Sequence, residues 1–260
     1  MTSHEQSVIR GHDNRTLRFV RSLRLRSHRD AERAFVVEGV RAVDDALLLG
    51  ATPRVILVRE HSSWTPPYDE RSAFVRIVSA AMFDAVSDTV SPQGLLAVFP
   101  QPVLDADDRS DPLYLILDRL RDPGNLGSLL RLAAGAGADA VYLTAESVDP
   151  FNPKVVRAAM GAHFRVPIRR LDDEAAASIA RRCPLRVLAD SEAASRYDEL
   201  DWRRGVALII GSEAHGVSDA VAALATVTAS IPLLNGVESL NAGVAGSVVL
   251  FEAARRRRAG

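Results

Sequence analysis

Short apolar runs alternate with helical stretches through the second half of this chain, and this alternation constrains the fold more than any other feature. The apolar runs are of strand length, and helical patterns at 125–137 and 172–182 lie between them. The runs are 113–117, 140–143, 165–168, 186–189, 206–210 and 227–231. Because parallel strands need crossover helices, we predict an α/β fold with a mostly parallel sheet and helices on both faces.

A smaller α/β unit precedes this region. It begins with a helical pattern at 10–29 and continues through a strand at 35–39 and a helix at 40–49. Further strands are expected at 55–58, 74–78 and 94–99. The stretch 100–112 then carries three prolines and four acidic residues, which is typical of a linker. We therefore predict a first domain at 1–100, a linker at 101–111 and a second domain at 112–260.

Composition excludes several classes of protein. The apolar runs are far too short to cross a bilayer, and the first residues lack the apolar core of a signal peptide. We therefore expect a cytoplasmic protein without membrane contact. Cys183 is the only cysteine, and the six histidines show no ligand spacing, so we expect neither a disulfide nor a metal site.

The formal net charge is −1, but the basic residues are unevenly distributed. Eight arginines lie between residues 10 and 33, four more lie at 255–258, and Lys154 is the only lysine. Guanidinium groups at this density suit phosphate contacts, although a solvated helix face explains either cluster equally well. We select Arg21, Arg24 and Arg26 as candidate phosphate-binding residues.

Polar segments follow three of the predicted strands. Residues 118–131 follow the first strand of the second domain, 211–216 follow the run at 206–210, and 232–246 follow the last strand. Ligands of parallel sheets bind at the carboxyl ends of strands, so a site is expected there. Gly243 and Gly246 stand in a helical pattern that would favour alanine, which predicts close approach of another element.

Two common nucleotide-binding motifs are absent from the sequence. No strand is followed by Gly-x-Gly-x-x-Gly, and the chain contains no Gly-Lys-Ser/Thr. The usual dinucleotide and triphosphate sites are therefore excluded. Another small-molecule enzyme built on a doubly wound sheet remains open at this point.

In this order, the three polar segments resemble the three motifs of the SpoU-type (TrmH-like) RNA ribose 2′-O-methyltransferases of the SPOUT superfamily. Residues 122–127 with Arg131 resemble the first motif, 211–216 the second and 231–241 the third. The resemblance covers residues 113–254. The unit ahead of it resembles the small ribosomal-protein-like substrate-binding domain that is often fused to this catalytic domain.

The resemblance implies a SPOUT-type parallel sheet with a C-terminal trefoil knot, although unknotted connections are the general rule. It also implies a homodimer that binds S-adenosylmethionine and completes each active site with residues of both subunits. The implied cofactor-binding positions are Gly211, Ile231 and Leu240, with Ala189 and Gly216 beside them.

The implied catalytic residues are Asn125, Arg131, Glu213, Ser239 and Asn241. A ribose hydroxyl is a poor nucleophile until it loses its proton. Because a guanidinium hardly ever gives up a proton, Arg131 is expected to stabilise the developing alkoxide and to hold the adjacent phosphate. Glu213 or a water molecule is expected to accept the proton.

With RNA as the implied substrate, Arg21, Arg24 and Arg26 are expected to bind RNA. A second set of RNA contacts is expected at Asn152, Lys154 and Arg157, where the family carries a similar basic pattern. Two positions depart from the family: Asn235 replaces a usual glycine, and Gly243 replaces a usual serine. The predicted function is methyl transfer to a ribose 2′-hydroxyl of structured RNA, with 23S ribosomal RNA as the preferred substrate. Transfer RNA as substrate, or a non-catalytic SPOUT-fold RNA-binding protein, are the alternatives.

Overall fold

The computed structural model describes residues 7–67, 73–106, 109–212 and 215–259. The helices are α1 (Arg15–Ser22), α2 (Arg26–Glu32), α3 (Val40–Leu48), α4 (Ala80–Val86), α5 (Pro123–Ala136), α6 (Pro153–Ala159), α7 (Asp173–Ala180), α8 (Asp219–Ala222) and α9 (Ala242–Ala259). The strands are β1 (Ala34–Glu38), β2 (Val55–Arg59), β3 (Val75–Val78), β4 (Leu95–Pro100), β5 (Leu113–Leu117), β6 (Ala140–Leu143), β7 (Ile168–Arg170), β8 (Leu185–Ala189), β9 (Ser195–Arg196), β10 (Val206–Ile210) and β11 (Val227–Ser230).

Packing divides the chain into two units. The first unit comprises Met1–Pro102 and Phe151–Phe164, and the second comprises Val103–Pro150 and Arg165–Gly260. The segment Phe151–Phe164 lies in the second domain by sequence, but its contacts are with the first unit. Phe151 and Phe164 pack there against Phe35.

The first unit is a four-stranded sheet in the order β1-β4-β2-β3, with helices on both faces. β4 is antiparallel to β1 and β2, whereas β2 and β3 are parallel. Leu57 of β2 packs with α1 and α4, while its neighbour Ile56 packs with α3 and α6 on the opposite face. This alternation of side chains produces two apolar layers around one sheet.

The second unit is a parallel seven-stranded sheet in the order β7-β6-β5-β10-β8-β11-β9. Ile209 packs on the face covered by Ala180 of α7 and Val221 of α8. Ile210 points to the other face, towards Gly246 of α9. The predicted parallel sheet with helices on both faces is therefore confirmed.

Some local expectations were wrong. The strand expected at 165–168 begins only at Ile168, after a short 3-10 turn at Ala162–Phe164. Pro167 has no N–H to donate to a ladder, so it precedes the strand. The expected linker is also partly packed, because the Gln101 N–H donates to the Arg33 carbonyl at 2.8 Å and Ala106 lies against the core of the second unit.

Within the described residues, none of the helices has both the length and the apolar character needed to cross a membrane.

Candidate active site

A cavity of about 310 Å³ lies at the carboxyl ends of β8, β10 and β11. The structure brings all five predicted cofactor positions together around this cavity, and Ser239 lines it as well. The five are Ala189, Gly211, Gly216, Ile231 and Leu240. These residues lie up to about fifty positions apart in the sequence. They come together because β10, β8 and β11 are neighbours in the sheet and end at the same edge.

The loop after β10 closes tightly on itself beside the cavity. Ser212 and Gly216 exchange two main-chain hydrogen bonds, both of 2.9 Å. A Cβ atom on Gly211 would lie 2.4 Å from the carbonyl carbon of Gly216, which no real side chain tolerates. Glycine at 211 is therefore required by the loop itself, and Gly216 has a φ of +59° that again favours glycine.

Asp118 accepts a hydrogen bond from the end of this loop. The sequence did not single out Asp118 as a functional residue. Its carboxylate is buried, accepts from the Thr144 hydroxyl at 2.6 Å and accepts from the Ser218 N–H at 2.6 Å. Thr144 follows β6, and Ser218 ends the loop after β10 and caps α8. One carboxylate thus joins the ends of three neighbouring segments. The available signal was an acidic residue directly after an apolar strand.

Asp190 is a second acidic residue that the sequence analysis missed. It follows β8 and lines the cavity, next to Ala189. One carboxylate oxygen accepts from the Glu192 N–H at 2.9 Å, and the Asp190 N–H donates to the Ala229 carbonyl at 3.1 Å. These contacts hold Asp190 at the end of the sheet, where its carboxylate can accept hydrogen bonds from a polar ligand.

The first turn of α9 brings two predicted catalytic residues together. The Asn241 side chain accepts from the Gly243 N–H at 3.0 Å and from the Val244 N–H at 3.3 Å, so it caps the helix. A Cβ atom on Gly243 would lie 3.1 Å from Asn241 Oδ1 and 3.3 Å from Asn125 Oδ1. Both amides therefore lie beside the Gly243 backbone, and a serine at this position would crowd them.

Arg131, another predicted catalytic residue, is exposed on α5 and is not among the described residues that line the cavity of its own chain. Glu213 lies outside the described residues. Asn235, which replaces a family glycine, has a φ of +58°, as expected for a residue that tolerates the left-handed region.

The predicted RNA-binding arginines of the first unit are engaged within that unit. Arg21 donates to the His12 carbonyl at 3.1 Å, and Arg24 donates to the Ser87 carbonyl at 2.8 Å. Arg26 forms an exposed ion pair with Asp30 at 3.4 Å. Arg21 and Arg24 therefore also have structural roles.

The second predicted RNA-binding set lies at the start of α6, in the first unit. Asn152 caps the helix by accepting from the Lys154 N–H at 2.9 Å. Lys154 is exposed, whereas Arg157 is paired with Asp88 at 2.8 Å. Of the three residues, Lys154 has the side chain that is most accessible to a phosphate.

No group of three or more His, Cys, Asp or Glu residues is arranged to hold a metal ion in the part of the chain that the structure describes. Cys183 is buried, and this burial raises the pKa of its thiol to about 12. The thiol is therefore protonated at neutral pH and is a poor ligand or nucleophile.

Several known proteins are similar to this chain in fold or in sequence. An AdoMet-bound rRNA methyltransferase from Sinorhizobium meliloti matches with a TM-score of 0.84 and 30% identity, over 96% of this chain and 97% of that one. The mitochondrial rRNA methyltransferase 3A of Danio rerio is 35% identical over 94% of this chain and 69% of its own length. A 23S rRNA guanosine 2′-O-methyltransferase of Bacillus subtilis (strain 168) is 29% identical over 92% of this chain and 95% of its own length.

The fold and the cavity therefore define an RNA methyltransferase that uses S-adenosylmethionine. Residues 112–251 match the SpoU rRNA methylase family, and residues 14–97 match the MRM3-like substrate binding domain. The chain belongs to the SpoU rRNA methylase family. The predicted family, enzyme class and cofactor are thereby confirmed.

Proposed function

We propose that this enzyme methylates a ribose 2′-hydroxyl of large-subunit ribosomal RNA. The support is that the Bacillus subtilis relative is named for 23S rRNA and the Danio rerio relative for mitochondrial rRNA. No feature of the described residues favours transfer RNA. The cytoplasmic location expected from the sequence remains part of the proposal, and the Danio rerio relative is named as mitochondrial.

The cavity of the second unit fits S-adenosylmethionine. Ile231 and Leu240 offer apolar surface, Gly211, Ser212 and Gly216 offer main-chain groups, and Asp190 offers a carboxylate for hydroxyl or ammonium groups. When bound, the cofactor supplies an electrophilic methyl group. The protein's own residues then have to orient the ribose, exclude water and handle one proton.

The polar residues near the start of α9 are suited to orienting the ribose. Asn125 and Asn241 flank the Gly243 backbone, and Ser239 lines the cavity. We assign Arg131 to stabilising the alkoxide that forms as the 2′-hydroxyl attacks, and to holding the neighbouring phosphate. Glu213 or a water molecule accepts the proton.

The position of Arg131 carries the proposal that the enzyme works as a homodimer. Arg131 is exposed and is not among the described residues that line the cavity of its own chain. On α9, Val244 and Phe251 are 49% and 40% exposed, although both are large and apolar. A second copy packed over α9 would bury these side chains and could supply Arg131 to the neighbouring cavity.

Mixing two inactive variants tests this arrangement. We expect Arg131→Ala to lose methyl transfer but keep cofactor affinity, and Gly211→Val to lose cofactor affinity. After the two proteins are denatured together and refolded, mixed dimers would contain one intact cavity faced by one intact Arg131. Roughly a quarter of wild-type activity should return, because half of the dimers are mixed and each has one complete site.

The readout is transfer of a labelled methyl group to a large-subunit rRNA transcript. Co-refolding of Arg131→Ala with Arg121→Ala is the control for recovery of folded enzyme. Arg121 is suited to this purpose because it is exposed and is paired with Glu146. If the mixture of Arg131→Ala and Gly211→Val remains inactive, Arg131 acts within its own chain. If the wild type binds S-adenosylmethionine but methylates no RNA, the protein is a non-catalytic member of the family.

A further inference from the structure

The first unit contains its own cavity, separate from the cofactor cavity of the second unit. Its volume is about 360 Å³, at the lower end of the roughly 300–1,000 Å³ typical of small-molecule pockets. It lies beside β1, which forms one edge of its sheet, and is closed by the ends of α1, α3 and α6. The methyl-transfer reaction proposed above makes no use of it.

The floor of this cavity is apolar and its rim is basic. Half-buried side chains of Val36, Ala42 and Pro153 contribute accessible apolar surface to the floor. Arg24, Arg41 and Arg157 line the same space. An apolar slot beside guanidinium groups is suited to a ligand that has both a flat apolar face and an anionic group.

Two acidic side chains also line the cavity, and both are engaged in holding its wall. Glu38 accepts from the Thr89 hydroxyl at 2.8 Å and from the Asp88 N–H at 3.2 Å. Asp88 is paired with Arg157 at 2.8 Å. These contacts order the turn at 87–89, and the lining keeps one more guanidinium group than carboxylate groups.

The mouth of the cavity shows strained backbone and exposed apolar side chains. Met160 lines the cavity with a φ of +47°, which is unfavourable for a residue that has a side chain. Met160 is 41% exposed, and Val90, in the turn between two lining residues, is fully exposed. Strained residues and uncovered apolar surface are both enriched at binding sites.

We propose that this cavity holds one unstacked nucleotide of the RNA substrate, an inference that rests on the proposed function. The base lies on the aliphatic floor, under the Arg24 guanidinium, which its hydrogen bond to the Ser87 carbonyl keeps in place. Arg41, which is exposed at the first turn of α3, contacts the adjacent phosphate. Sequence-specific RNA recognition uses splayed bases stacked on apolar or guanidinium surfaces in this way.

Short single-stranded RNAs test the proposal on the full-length chain. Four fluorescein-labelled homopentamers, one for each base, are titrated against protein saturated with S-adenosylmethionine, so that the other cavity is filled. We expect at least one pentamer to bind the wild type and to be displaced poorly by the same sequence held in a duplex. Inorganic phosphate at equal concentration should not displace it, because phosphate lacks the base.

Three variants identify the cavity. Arg41→Glu removes the phosphate contact, and Ala42→Phe fills the cavity without a change of charge, since Ala42 lines it. Each should weaken pentamer binding by roughly tenfold. Arg15→Glu makes the same charge change as Arg41→Glu on an exposed helix position outside the cavity lining, and it should change affinity less than about twofold.

Several outcomes would overturn the inference. The inference is wrong if no pentamer binds, or if Arg41→Glu and Arg15→Glu weaken pentamer binding equally. It is also wrong if phosphate alone displaces the pentamer, or if duplex RNA binds as tightly as the single strand. A thermal melt checks that Ala42→Phe is folded, and Arg41→Glu stands independently if it is not. Methylation of rRNA is measured in parallel, because intact methylation without these pentamer effects refutes the inference alone. If the variants weaken pentamer binding as expected but the wild type does not methylate rRNA, only the proposed function is refuted.

Discussion

The absence of a side chain at Gly211 shapes the cavity at the carboxyl ends of β8, β10 and β11, which we propose as the cofactor site. A methyl group at this position would lie 2.4 Å from the Gly216 carbonyl carbon, so Gly211→Ala must open the loop that Ser212 and Gly216 close. We expect affinity for S-adenosylmethionine to fall roughly tenfold or more, equivalent to about 1.4 kcal/mol of binding free energy. Titration calorimetry measures this directly.

Gly135→Ala is the matched control for that substitution. Gly135 is helical, and its nearest neighbour to an added Cβ is Phe251 at an ordinary 3.8 Å. The control should keep full cofactor affinity and gain up to about 1 kcal/mol of stability from helix propensity. Unchanged affinity in Gly211→Ala would mean that the loop is not part of the cofactor site.

At the residue scale, the sequence could predict features that depend on neighbouring residues only. Asn235 replaces a family glycine, and its left-handed backbone is one that asparagine tolerates better than most residues. Asp118 could not be identified in the same way, because its partner Ser218 lies 100 positions along the chain. Which of several acidic residues after strands is buried depends on which segments meet there. The catalytic roles of Asn125, Arg131, Glu213, Ser239 and Asn241 remain predictions.

Among the elements, α9 depends on close contact with α5. The sequence predicted that a glycine in the last helix marks an approaching element, and Gly246 confirms this. A Cβ atom there would lie 2.5 Å from Leu129 Cδ2 and 3.5 Å from Ile210 Cγ1. Leu129 is fully buried on α5, so it has little room to move.

We expect Gly246→Ala to destabilise the protein by about 1–3 kcal/mol, because overpacking outweighs the gain in helix propensity. In a Leu129→Ala background the same substitution should become neutral or stabilising, since the clashing methyl group is gone. Urea unfolding of the four proteins gives the coupling energy. Equal effects in both backgrounds would show that the two helices do not meet at Gly246.

An ion-pair cluster near the end of α9 makes the free energy of unfolding depend on pH in the acidic range. Hydrogen bonds from Arg255, at 2.8 Å, and Arg256, at 2.7 Å, lower the pKa of Glu252 from 4.5 to about 2. Because the pKa is lower in the folded state, this stabilisation is complete above pH 4.5 and is lost as the pH falls towards 2. An exposed cluster of this kind contributes at most about 1 kcal/mol.

Glu252→Gln should therefore reduce the free energy of unfolding slightly at pH 6 and make it less sensitive to pH between 4.5 and 2. Urea unfolding at pH 6 and pH 3 measures both effects. Glu192→Gln, at an exposed position of the second unit, is the control and should keep the wild-type pH dependence. A Glu252→Gln curve parallel to that of the wild type would contradict the assignment.

For the whole molecule, the sequence predicted the sheet and the order of most elements, because apolar runs and helical periods are local patterns. The assignment of Phe151–Phe164 to the first unit could not be predicted in this way. Val156 is an ordinary apolar helix residue in sequence, and only the fold shows that it packs with the core of the first unit. The C-terminal knot remains a prediction from the family resemblance.

A shortened chain that begins at Val103 tests this packing. It lacks Phe35 and Phe99, against which Phe164 packs with ring centroids 5.7 Å and 5.1 Å apart. We expect the shortened chain to aggregate or to melt at a lower temperature than the whole protein, because apolar rings become exposed. Size-exclusion chromatography and thermal melting are the measurements. Phe151→Ser with Phe164→Ser in the same shortened chain should reduce the aggregation.

Because the first unit is made of two separate segments of the chain, its folding during synthesis has to wait for the second segment. A ribosome delivers the chain from its N-terminus, and a contiguous domain can complete its fold as soon as its last residue emerges. Here residues up to 102 emerge without α6, which together with α3 covers one face of their sheet, and α6 follows only after β5, α5 and β6. The nascent first unit therefore stays incomplete until residue 164 has left the exit tunnel, and by then two of the seven strands of the catalytic sheet, β5 and β6, have already emerged.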